Sequence, residues 1–125
     1  KGAELSLDAP WKLFWATGSL SSVLDNAPTY LVFLEVARGA TQQVAGEGVV
    51  PLGAEGWVRG ELLTGVSLGA VFMGAMTYIG NGPNLMVRAI AAREGVRMPG
   101  FGGYAAWAAT ILIPVFALVT WLFLR

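Results

Sequence analysis

Asn26-Ala27-Pro28-Thr29 and its near-repeat Asn81-Gly82-Pro83-Asn84 are short polar breaks inside two apolar runs, 11–38 and 62–92. Proline removes a backbone donor and disfavours helix at the residue before it. Glycine adds backbone freedom. Neither stretch is expected to continue a helix. In a soluble chain such residues would mark turns in water. Here the flanks read as membrane, where backbone that leaves the helix is tolerated only if it is buried in protein or lines a polar cavity. A pair of interrupted hydrophobic segments is also the sequence pointer to the binding site of a secondary transporter.

The composition agrees. Of 125 residues, 55% are hydrophobic and 13% charged, against about 25% charged in a typical soluble domain. Mean hydropathy is +0.61. Eight basic and eight acidic residues cancel, so no basic footprint points to nucleic acid. With no Cys and no His, a disulfide framework, a Cys/His zinc site and any His- or Cys-based triad are excluded for this chain. No leader pattern follows Lys1, and two or three membrane segments are few for a transport pathway. The chain is therefore expected to be the C-terminal part of one transport domain, with half of the site on a missing N-terminal portion.

Around the first break, Asp8-Ala9-Pro10 reads as a helix entry with Asp8 as cap. Trp11, Lys12, Phe14 and Trp15 follow as an interfacial belt. Residues 13–24 would rise about 18 Å as helix, little more than half of a core about 30 Å thick. Tyr30–Ala37 is shorter still, and Glu35 and Arg38 form a rim pair. Two half-length limbs around a polar tip predict a re-entrant helical hairpin over 11–38. The alternative is one kinked helix crossing fully. Residues 39–60, with six glycines and one proline, read as an external loop.

Around the second break, 61–94 reads as a discontinuous transmembrane helix, with Asn81 or Gly82 near the new N-cap. Gly65-x-x-x-Gly69 is a small-xxx-small pattern for close helix packing. Arg88, Arg93 and Arg97 place the following turn on the cytoplasmic side. Residues 103–125 form the last transmembrane helix, with Pro114 inside it. The expected fold class is all-α integral membrane: hairpin, discontinuous helix, final span.

Both restarting limbs present helix N-termini, whose free N–H groups and dipole favour anions such as carboxylates. Unwound carbonyls and Asn side chains favour Na⁺. An intramembrane carboxylate is a functional hypothesis by default, which makes Asp25 the first candidate for a cation or proton site; capping of the second limb is its plainer role. Asn26, Thr29, Gly80, Asn81, Gly82 and Asn84 are the other candidate ion- or substrate-binding residues. Asp25, Asn26 and Asn81 are candidate Na⁺ ligands, and Pro28 and Pro83 are structural breaks. For the asparagines the competing reading is turn chemistry. Thr77, Ser21 and Ser22 are weaker candidates, since in-membrane hydroxyls often bond only their own helix. No catalytic residue is expected. Apart from the rim residue Glu35, the apolar runs offer Asp25 no second acid, so an enzyme is not expected.

At Ser21–Ala37 and Met76–Ala91 the sequence resembles the C-terminal end of the ion transporter superfamily. It is most similar there to the bacterial citrate-transporter and sodium:proton antiporter family. The resemblance implies that a hairpin tip, Asp25–Thr29, and an unwound segment, Gly80–Asn84, meet to bind substrate and sodium. The dicarboxylate carriers of that superfamily have a Ser-Asn-Thr tip. The Asp25-Asn26-Ala27-Pro28-Thr29 tip favours cation handling instead, hence sodium:proton antiport with Na⁺ or H⁺ as coupling ion and no other cofactor. Citrate or another carboxylate carried with a cation is the alternative, and a non-transporting membrane subunit is the second. The expected partners are a small inorganic ion or carboxylate, the bilayer, the N-terminal part of the same transporter and a second copy in a homodimer. The expected location is the bacterial inner membrane.

Overall fold

A computed structural model describes residues 6–42, 48–52 and 56–125. Its elements are α1 (Pro10–Ser21), α2 (Asn26–Gln42), β1 (Val49–Pro51), β2 (Trp57–Arg59), α3 (Gly60–Phe72), a 3₁₀ turn (Met73–Met76), α4 (Gly82–Arg93) and α5 (Phe101–Phe123).

Pro10 opens α1 at a position where no donor is needed. Asp8 is not its cap. Ala9 holds the N-cap position without a side-chain bond, and the Asp8 carboxylate instead accepts a 2.6 Å bond from Lys12 Nζ. A charge-assisted bond of this kind outcompetes a neutral N–H. It holds the exposed Asp8 carboxyl below its ordinary pKa.

The buried face of α1 carries Leu13, Phe14, Thr17, Gly18 and Ser21, and it lies along α3. The two helices run parallel and very close. A Cβ on Gly65 would sit on the Pro10 carbonyl, and one on Gly69 would sit on the Phe14 carbonyl. One turn further on, Met73 fills the space that a Gly18 side chain would need. The small-xxx-small pattern therefore does what its spacing suggests: it brings two backbones together.

α2 folds back along this pair. Leu13 and Ala37 belong to one buried cluster with Val58, Leu62 and Val66. On a continuous helix these two residues would lie about 36 Å apart. The non-helical residues 22–25 are the tip of the resulting helical hairpin. Asn26, Ala27 and Pro28 are not part of the break, contrary to the sequence expectation: they form the first turn of α2, where the missing proline N–H has no intrahelical partner to lose. At its far end α2 runs on to Gln42, beyond the Ala37 limit read from hydropathy. The Glu35–Arg38 pair forms at 2.5 Å on its exposed side.

The expected loop 39–60 lies partly outside the described residues. Within them, β1 and β2 pair antiparallel, with Val50 opposite Val58. Val58 is fully buried. Thr41 Oγ1 accepts a bond from Arg59 N at 2.9 Å, so the ribbon ties the end of α2 to the start of α3.

α5 runs opposite to α1 and α3. Trp15 Nε1 donates to Thr120 Oγ1 at 3.1 Å, Phe116 packs edge-on against Phe14 and stacks on Phe72, and Tyr104 OH reaches Ala75 O at 3.0 Å. Its 23 residues rise about 34 Å, enough for a hydrocarbon core about 30 Å thick. Its mean hydropathy of 2.0 makes it the one helix among the described residues long and apolar enough to cross a membrane, and few of its residues are buried. The apolar segment Gly60–Met76 is shorter.

Gly69→Leu is expected to wedge α1 from α3. Overpacking of this kind costs about 1–3 kcal/mol, so the detergent-solubilised full-length protein should melt several degrees lower, while Gly39→Leu, which meets no neighbour, should leave the midpoint in place.

Candidate functional site

The parallel packing of α1 on α3 carries both breaks to one place. α1 stops at Ser21, and α3 gives way to the 3₁₀ turn at Met73. The discontinuous helix therefore breaks earlier than its glycines suggest. Met73–Met76 tighten, and residues 77–81 are non-helical before α4 starts at Gly82.

The two breaks are stitched together by side chains that point into them. Asn26 is central. Its amide, oriented to match its surroundings, donates toward Ser21 Oγ at 2.9 Å, Ala70 O at 2.8 Å and Gly80 O at 3.1 Å. Ser21 Oγ is buried and donates to Ala70 O at 2.5 Å. Thr77 Oγ1 donates to Ser22 O at 2.5 Å and accepts from Gly80 N at 3.0 Å. Asn84 Nδ2 reaches Thr77 O at 3.2 Å and Gly74 O at 3.4 Å. Carbonyls freed by the broken helices thus find donors inside the protein, which is the condition for such backbone to exist away from water.

Gly80 is held by the same crowding. A Cβ there would lie 2.8 Å from the carbonyl oxygens of Gly74, Ser21 and Ser22, closer than any side chain tolerates. Its place in the break comes from space, not from conformation: no positive φ is recorded at Gly80.

Two helix starts lie side by side as a result. Asn26 opens α2 and bonds Gly80, two residues before the opening of α4 at Gly82. Each first turn contains a proline, Pro28 or Pro83, next to an exposed residue, Ala27 or Gly82. The N–H groups of a first turn have no intrahelical acceptor. At α2 the Asp25 carboxylate takes the Asn26 N–H at 2.8 Å, and Asp25 is itself exposed. At α4 the N-cap Asn81 makes no side-chain cap bond.

The predicted site residues therefore divide by what their side chains touch. Asn26 and Asn84 spend their NH₂ groups on backbone carbonyls. Asp25 and Asn81 stand at the open side of the paired helix starts. Thr29 is buried, and its hydroxyl has no partner among the described residues. Thr17, on the buried face of α1, is in the same condition; nothing in the sequence had singled it out. The stitching role of Thr77 and Ser21 was legible only as a weak polar signal. Among the described residues no group of acidic side chains could hold a metal ion.

Paired breaks in two apolar helices, beside a helix long and apolar enough to span a bilayer, are the pattern that marks binding sites in membrane-embedded transporters. Over residues 3–124 the chain matches the family model described as "Putative citrate transport". It belongs to that family, and the family description together with the apolar span α5 marks it as a membrane transport protein. No curated protein and no solved structure gives a significant match.

If Asn26 is a stitch, charge in its place should be worse than absence. Asn26→Asp sets a carboxylate against the carbonyls of Ala70 and Gly80, whereas Asn26→Ala only takes the amide from Gly80 O, at about 1–3 kcal/mol for a buried group, while Ala70 O keeps the Ser21 hydroxyl. The expected order of melting temperature is wild type, then Ala, then Asp at neutral pH. Equal loss in both variants would deny the amide its bridging role.

Proposed function

We propose that this chain is the C-terminal part of a secondary active transporter that carries citrate or a related carboxylate with a coupling cation, Na⁺ or H⁺. The observation that carries the reading is the juxtaposition of the two helix starts at Asn26 and Gly82. Helix N-termini favour anions, and two of them side by side suit a carboxylate substrate. The family description points the same way. In this reading the exposed N–H groups of Ala27 and Gly82, and the open amide of Asn81, receive the substrate.

The cation goes to oxygen. With their NH₂ groups engaged, Asn26 and Asn84 offer a cation only carbonyl oxygens. The Thr29 hydroxyl, buried and without a partner among the described residues, and the Asp25 carboxylate are the other oxygens this reading assigns to Na⁺. Asp25 is the group that would exchange a proton if H⁺ is the coupling ion. The α1–α2 hairpin is re-entrant in this reading. α1 has 12 residues and α2 has 17, rising about 18 and 26 Å, each short of a core of about 30 Å. The rest of the site comes from an N-terminal portion of the same transporter, the active unit is a homodimer, and the location is a bacterial inner membrane.

Sodium:proton antiport is the second reading. The observation in its favour is the exposed acid at the hairpin tip. The full-length protein in proteoliposomes separates the two. Labelled citrate uptake driven by an imposed Na⁺ gradient is the expected result, with Asp25→Asn lowering the gradient-driven rate about tenfold or more. Proton movement driven by Na⁺ without citrate, followed by an internal pH dye and lost in Asp25→Asn, would make the protein an antiporter. Neither activity in well-folded protein would leave a membrane subunit whose breaks serve packing.

A further inference from the structure

None of the residues of α4 is buried, yet its first turn forms one side of the proposed site. Within this chain, contacts made by single side chains hold it in place. Asn84 ties it to the 3₁₀ turn and the break. One turn further along the same face, the Arg88 guanidinium lies over the Tyr78 ring at 4.9 Å.

Tyr78 is a firm anchor for that contact. It is 1% exposed. Its other face stacks on Tyr104 of α5 at 4.2 Å with an interplanar angle of 21°. Its hydroxyl donates to Pro99 O at 3.1 Å, and Tyr104 OH in turn holds Ala75 O. The ring therefore joins four pieces: the break, α4, the turn before α5 and α5 itself. A cation over a ring is worth about 0.5–2 kcal/mol, more as water is excluded. The plainer role of Arg88 is a positive charge on the cytoplasmic side. That role asks only for charge; it does not ask for a planar guanidinium lying on one buried ring.

We propose that Tyr78 and Arg88 form a clamp that fixes the angle at which α4 leaves the break, making them positioning residues for the ligand-binding end of α4. A freely swinging α4 is competent only part of the time, and apparent affinity falls by that fraction. The consequence for substrate rests on the carboxylate-carrier reading; the clamp does not.

The test uses the full-length protein and two independent readouts. Amide hydrogen exchange over 82–93 should rise in Tyr78→Leu and in Arg88→Gln. The double variant should add little to Tyr78→Leu, which already removes the ring on which Arg88 lies. Arg88→Lys, with charge but no planar fork, should give intermediate exchange. In proteoliposomes the same variants should raise the citrate KM about twofold to thirtyfold, from the energy range above, with maximal rate per folded molecule changed less than about twofold. Unchanged exchange over 82–93 in both single variants, or full rescue by Arg88→Lys, overturns the clamp. Raised exchange in a protein that carries no citrate leaves the clamp standing and removes the substrate reading instead.

Discussion

The close approach of α1 and α3 is the contact on which the remaining geometry depends. Gly65 and Gly69 let the α3 backbone rest on the carbonyls of Pro10 and Phe14. Gly18 makes room for Met73 in return. Parallel helices packed this tightly keep their register, so two interruptions far apart in sequence arrive at one level. With a bulky residue at Gly69 the two breaks could still form, but they would not meet. Association of helices in lipid is driven by packing and hydrogen bonds rather than by exclusion of water, so the glycines and the Asn26 stitch act on the same interface.

A broken helix in an apolar setting has to satisfy its own freed carbonyls. Here Asn26, Thr77, Asn84 and Ser21 supply the donors, each reaching a carbonyl on a neighbouring segment or across its own break. This gives the site a chemical bias. The NH₂ groups of Asn26 and Asn84 are consumed inside the protein, which leaves their side-chain oxygens as acceptors. In the proposed carrier, anion recognition would fall to the backbone N–H groups at the helix starts. A division of labour between backbone for the anion and side-chain oxygen for the cation is consistent with a carrier that moves both together.

The two breaks were legible because proline, glycine and asparagine together are poor helix formers and are out of place in the interior of a long apolar run. Their edges were not. Pro28 reads as a helix breaker from the sequence, whereas in a first turn it costs nothing; the tip therefore moves back to residues 22–25. In Met73–Met76 only Gly74 is a poor helix former, so hydropathy gave no sign of the 3₁₀ turn, whose Met73 packs on Gly18 and whose Gly74 carbonyl accepts from the Asn84 amide. The ribbon at Val49–Pro51 and Trp57–Arg59 was hidden by its glycines, although β-branched and aromatic residues flanking a glycine-containing gap are a hairpin signal. For the asparagines, residue type marked the place, but only the geometry separates Asn26, turned inward, from Asn81, left open.

The ribbon also has a mechanical meaning. It buries Val58 beside Leu13 and Ala37 and bonds Thr41 through the Arg59 N–H. Among the described residues the hairpin is thus closed at its base as well as at its tip, and α1, α2 and α3 pack against one another. Such a block favours moving as a unit over bending between its helices. Any cycle that exposes the site to one side and then the other has to displace the whole block, or bend the chain beyond residue 76, where α4 hangs by its Asn84 and Arg88 contacts.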